Sequence, residues 1–164
     1  MKNEVNVAKW EHLEMLLKED PGFDGLRMLP KLTESHLNPK KLKKMEVKCA
    51  AQVLSHSTAI FMGYLARKGI LVEDARETAR VLLFFDELFD SVNGSFHNFK
   101  KKPGKKLLGP LTPNSTHQKV WDEAKAILKT MTFIDKSNKT GNCPCLVSLS
   151  SAFHYKLDKN DRKY

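Results

Sequence analysis

The sequence predicts an all-α protein, a compact helical domain of about four to six helices with one basic loop that contains proline and glycine. Three observations predict it. Apolar residues recur three and four apart in several stretches, helix-starting and helix-stopping residues separate those stretches, and no long run alternates apolar with polar residues. At 164 residues, 41% hydrophobic and 29% charged, the chain is long enough to bury a real core as one ordinary domain or a little more. We expect residues 1–140 to form the helical domain and residues 141–164 a poorly defined C-terminal tail.

Trp10, Leu13 and Leu17 share a helical face, and Asp20-Pro21-Gly22 stops that first helix. Residues 23–30 read as an irregular connection, and Leu29 to Thr33 has no clear period. Asn38-Pro39 is a helix start, because Asn caps well and Pro is tolerated at the first helical position. The next helix is the most regular. Val47, Ala51, Leu54, Thr58, Phe61 and Leu65 alternate spacings of four and three, with Gly69 as the stop. The pattern leaves open whether this helix begins at Pro39 or near Glu46. Small residues on its flank, Ala50, Ser55, Ser57 and Ala59, would let a backbone or a ligand come close.

Asp74 opens a further helix in which Phe85, Leu88, Phe89 and Val92 make one apolar stripe. It ends at Asn93-Gly94, where glycine is expected to take the left-handed conformation that closes a helix. Residues 95–113 form the lysine-bearing loop. Ser115-Thr-His-Gln118 has the form of a capping box for a helix carrying Val120, Trp121, Ala124, Ile127, Leu128 and Met131. Residues 135–144 are loop-like, residues 146–153 suit either a strand or a helix start, and residues 156–164 are a charged tail. The expected core is Val47, Ala51, Leu54, Phe61, Leu65, Phe85, Leu88, Val92, Trp121 and Leu128.

The formal charge is +9, from 28 Lys and Arg against 19 Asp and Glu. Such a balance favours a polyanionic partner, nucleotide phosphates or nucleic acid. The charge is clustered, and Lys40, Lys41, Lys101, Lys102 and Lys105 are the candidate nucleic-acid contacts, although basic clusters are more often plain solvated surface than a binding site. Three cysteines, an odd count, argue against a disulfide framework. Cys143-Pro-Cys145 lacks a second ligand pair at zinc spacing, so no metal ligands are assigned. No apolar run is long enough to span a bilayer, and the start, Met-Lys-Asn-Glu-Val-Asn, has no apolar signal segment. No phosphate-binding Gly-x-x-x-x-Gly-Lys-Ser/Thr occurs, and Asn138-Lys139-Thr140-Gly141 has glycine where a guanine-reading acid would stand. No catalytic set is recognisable, so no enzyme activity is expected.

One pair of residues has the chemistry of a base reader. Asp90 and Asn93 are three apart and hence neighbours on a helix face. A carboxylate accepts the N1–H and N2–H groups of guanine, and a carboxamide can donate to O6 or N7. A Phe89 ring beside them could stack on the base. The plain alternative makes Asn93 a helix-end residue, Asp90 a solvated acid and Phe89 part of the core.

The segments Leu29-Pro-Lys-Leu-Thr-Glu-Ser-His-Leu-Asn-Pro39, Lys44-Met-Glu-Val-Lys-Cys-Ala-Ala-Gln-Val-Leu-Ser-His-Ser57 and Phe85-Asp-Glu-Leu-Phe-Asp-Ser-Val-Asn-Gly-Ser95 together resemble the GTP-binding insertion domain of P-element-type transposases. That group includes transposases and domesticated proteins with an N-terminal THAP zinc finger, and the resemblance covers roughly residues 7–135. It implies an all-helical module that interrupts an RNase H-like catalytic domain and binds GTP as a cofactor, with magnesium as its companion ion. It also implies a nuclear location and a role in DNA transposition, with DNA met through a larger transposase assembly. Carried over by position, it places Lys31 near the phosphates, Val47 and Ser55 along the nucleotide, and Phe89, Asp90 and Asn93 around the base. Glu46 departs from the pattern, since the family tends to have a basic residue there and a carboxylate repels phosphate. Neither a THAP finger nor an RNase H-like sheet is found in the chain, so the expectation is the insertion module alone, a truncated or domesticated transposase. The alternatives are a basic helical DNA-binding module and an inactive remnant of a transposable element.

Overall fold

The computed structural model describes residues 7–20, 26–37, 47–95, 100, 104–134 and 140–141. Six α-helices lie among the described residues: α1 (Glu11–Glu19), α2 (Glu34–Leu37), α3 (Val47–Val53), α4 (His56–Arg67), α5 (Ala75–Val92) and α6 (His117–Thr130). A 3₁₀ turn, Lys106–Leu108, precedes α6, and a small antiparallel pair follows it. In that pair β1 (Phe133–Ile134) faces β2 (Thr140–Gly141), with Phe133 opposite Gly141 and Ile134 opposite Thr140. The protein is predominantly helical, as its periodicity requires. No helix of the described residues is long and apolar enough to cross a membrane. The chain divides into two compact units, residues 1–89 and 90–164.

In the first unit α1 buries His12, Leu13 and Leu16 and leaves its glutamates and Lys18 exposed. The helix ends at Asp20, whose role exceeds that of a stop. Its buried carboxylate accepts from Met28 N and Leu29 N, both at 2.9 Å, and so ties these two residues to the end of α1. Arg27 Nε donates to the Asp20 carbonyl at 3.0 Å. Thr78 of α5 receives the Lys9 backbone N–H at 3.1 Å, and its hydroxyl lies 2.7 Å from His12 Nδ1. His36 joins α2 to α3. Its Nδ1 accepts from Thr33 N, so Nε2 carries the proton donated to Gln52 Oε1 at 2.6 Å.

The regular helix expected across residues 47–65 is two helices. Ser55 is extended (φ −103°, ψ 152°), and its hydroxyl accepts from Thr58 N at 3.3 Å, capping α4. Serine competes with the helical backbone for such bonds, and here that local preference outweighs the apolar period. The break changes which residues point inward. The core of this unit includes Leu13, Leu16, Leu29, Leu32, Leu37, Val53, Met62, Leu65, Leu71 and Leu82. Of the expected core, Leu65, Leu88 and Trp121 are buried, Ala51, Leu54, Phe61, Phe85, Val92 and Leu128 are half-buried, and Val47 is 67% exposed. α4 ends as anticipated at Gly69, with φ 72°. Ile70 N bonds to Leu65 O and Gly69 N to Ala66 O, the paired closure that a left-handed glycine permits.

In the second unit the capping box at Ser115 does not form. Ser115 Oγ instead accepts from Thr112 N at 3.4 Å, within a turn closed by Ser115 N on Thr112 O. α6 therefore starts at His117 without a side-chain cap on Thr116. It buries His117, Trp121 and Ala124, while Ile127 is exposed.

Candidate functional site

The candidate site is built on the C-terminal turns of α5. Along this helix Ala75, Thr78, Ala79 and Leu82 are buried first, and then Leu88 and Ser91. At about 100° per residue the second set lies nearly half a turn from the first. By the same count Phe89 falls on the side of the first face, which is no longer covered at that end of the helix. Of the expected stripe of Phe85, Leu88, Phe89 and Val92, only Leu88 is buried, and Phe89 is 46% exposed.

Asp90 is the charged centre of this end. Its Oδ2 accepts from Lys105 Nζ at 2.6 Å, and the side chains of Asp90 and Lys105 are only 15% and 30% exposed. Asp90 is thus a partly buried, paired acid and not a solvated one. Asn93 follows the last helical residue and is exposed. Gly94 closes the helix in a different way from the one expected: among the described residues the left-handed glycine is Gly69, and Gly94 is required for close approach. A methyl group on Gly94 would lie 2.5 Å from Gly109 O and 3.2 Å from Leu107 O. Ser95 N donates to Leu108 O at 2.8 Å, which fastens the 3₁₀ segment beside the end of α5.

α6 supports the same region. Trp121 Nε1 donates to Ser91 Oγ at 2.9 Å, and both residues are buried. His117 Nε2 bonds to Leu107 O at 2.9 Å, and its ring meets Trp121 edge-on at 6.1 Å between centroids. The His117 Nε2–H must donate to that carbonyl, so its buried Nδ1, which has no partner, is the bare acceptor.

The other expected site residues sit on their own elements. Lys31 is exposed on the turn in which Leu32 N bonds to Leu29 O, between two buried leucines. Val47 begins α3 and is exposed, and Ser55 is the cap of α4. Lys31, Val47, Ser55 and Phe89 belong to the first unit, Asp90, Asn93 and Lys105 to the second. Lys40, Lys41, Glu46, Lys101 and Lys102 lie outside the described residues. Lys105 was expected only as one member of a basic cluster. Its place on Asp90, fifteen residues away in sequence, had no local signal.

A family model described as "TNP-like, GTP-binding insertion domain" matches residues 1–106 of the chain, a stretch that includes Lys31, Val47, Ser55, Phe89, Asp90, Asn93 and Lys105. The Transposable element P transposase of Drosophila melanogaster is 35% identical over 68 residues, which is 42% of this chain and 9% of that protein. The chain thus corresponds to less than a tenth of that relative's length. No solved structure matches it.

Proposed function

Because the chain belongs to the TNP-like, GTP-binding insertion domain family, we propose that it binds a guanine nucleotide and carries out no chemistry on it. In this reading it is the nucleotide-binding module of a P-element transposase-like protein. The observation that carries the proposal is Asp90, a partly buried carboxylate at the end of α5 with Asn93 one turn further on. Guanine presents two adjacent N–H donors, N1–H and N2–H, and a carboxylate is the side chain that accepts both. A site built to hydrogen-bond a base rejects one that leaves its polar groups unmatched, which is how adenine is refused. The half-exposed Phe89 ring, next along the helix, offers a stacking surface.

Lys31 as a point charge for phosphate, and Val47 and Ser55 as lining groups, enter the proposal through the resemblance, each testable by its own substitution. GTP is taken as its magnesium complex, with the metal held by phosphate oxygens. DNA is a partner of the larger assembly, and the nucleus is its place of action. Calorimetry with a panel of nucleoside triphosphates at fixed salt tests the proposal. Tighter binding of GTP than of ATP supports it, and equal or undetectable binding of both rejects it.

The charge of +9 favours a second reading, direct binding of DNA through the lysine clusters. That binding falls steeply as salt rises, because each neutralised phosphate releases counterions. A nucleotide preference that survives at higher salt separates the two readings.

A further inference from the structure

We propose that Lys105 is a second base-reading residue, whose ammonium donates to O6 of guanine while Asp90 accepts N1–H and N2–H. This rests on the guanine-nucleotide reading above and adds a specificity determinant to it. The Watson–Crick edge of guanine runs acceptor, donor, donor. Its complement is a donor set beside an acceptor, and Lys105 Nζ on Asp90 Oδ2 at 2.6 Å is such a pair. An ammonium has three N–H donors and each carboxylate oxygen has two acceptor positions, so the ion pair and the base contacts are compatible. Adenine presents the reverse order, an amine toward the ammonium and a bare ring nitrogen toward the carboxylate. Both contacts then fail together.

Two further observations separate Lys105 from an ordinary surface lysine. Its side chain is 30% exposed and its partner 15%, a degree of withdrawal from water that brings an ion pair little net stability. Its backbone is also held in place: Leu108 N bonds to Lys105 O at 3.0 Å, Ser95 N bonds to Leu108 O, and Gly94 admits the 107–109 backbone at van der Waals limits. The donor is therefore positioned by the same segment that closes the end of α5, before any ligand arrives. Preorganisation of this kind is what gives a polar group discriminating power.

The test uses the full chain, its Lys105→Met and Lys105→Arg variants, and calorimetry with GTP, inosine triphosphate and 6-thio-GTP. Inosine lacks only the N2 amine that Asp90 reads, and 6-thio-GTP changes only the O6 atom, to a weaker acceptor. The parent should bind GTP more tightly than either analogue. Loss of one charge-assisted hydrogen bond in Lys105→Met should weaken GTP binding roughly ten- to a hundredfold. It should also abolish the preference for GTP over 6-thio-GTP while keeping the preference over inosine triphosphate. Lys105→Arg, which keeps a donor, should retain both preferences. Equal loss for all three ligands makes Lys105 a structural partner of Asp90 and overturns the proposal, as does tighter GTP binding by Lys105→Met. If Lys105→Met does not fold, the parent decides alone, and equal affinity for GTP and 6-thio-GTP overturns the proposal. A parent with no preference for GTP over ATP removes the nucleotide reading itself, an outcome distinct from a GTP-selective parent indifferent to Lys105.

Discussion

Asp90 shows how far the chemistry of one side chain depends on what the fold sets beside it. In the sequence it is an acid on a helix, three residues from an asparagine. In the structure it is a partly buried acceptor already engaged by Lys105. Asp90→Asn exchanges one acceptor for a donor, so GTP binding should weaken while xanthosine triphosphate, with an extra carbonyl, gains relative to GTP; a competition titration reads both. Asn93→Ala should weaken GTP binding without that switch. Glu46→Lys should strengthen it by removing a repulsion near phosphate, and an unchanged affinity would detach position 46 from the nucleotide. His12 bears on stability instead. Its burial, aided by Lys9 and opposed by Asp74 and Glu11, holds its pKa below the ordinary 6.5. The unfolded chain then takes up the proton more readily than the folded one. Stability is complete above pH 6.5 and declines as the pH falls from there through the lowered folded value. His12→Gln should flatten that part of a melting-temperature profile, and an unaltered slope would assign it to other groups.

At the scale of elements, the expectations that held were those resting on local chemistry with no competitor. Gly69 ended α4 because only a left-handed residue closes that turn. Those that failed had a second local partner. Ser55 found Thr58 N and split the long helix, and Ser115 found Thr112 N and left α6 uncapped. Gly94 was legible as a helix end, but its reason lies in the backbone of Leu107 and Gly109, which no local pattern reveals. Gly94→Ala should destabilise the protein by about 1–3 kcal/mol, as overpacking against unyielding backbone does. Gly104→Ala, with nothing within 4 Å of the added carbon, is the matched control. Thermal melts that coincide for the two variants would contradict the close approach.

For the molecule as a whole, the first unit rests on a leucine-rich core in which Met62 is fully buried. Met62→Ala should cost about 2–5 kcal/mol in chemical denaturation, and a midpoint equal to the parent's would refute that core. The sequence by itself determined the helical class, since the apolar period survives whatever the helices meet. It also determined the family, because three motif blocks in fixed order are written in the residues themselves. The stop of α1, the stop of α4 and both ends of α5 followed too. Tertiary structure alone decided which apolar residues are core, since Phe85, Val92 and Leu128 are only half-buried although their helices form as expected. It alone decided that Phe89 is half exposed and that Lys105 sits on Asp90. Such pairings are made between residues far apart in the chain, and their energies arise only once the fold has brought the two groups within hydrogen-bonding distance.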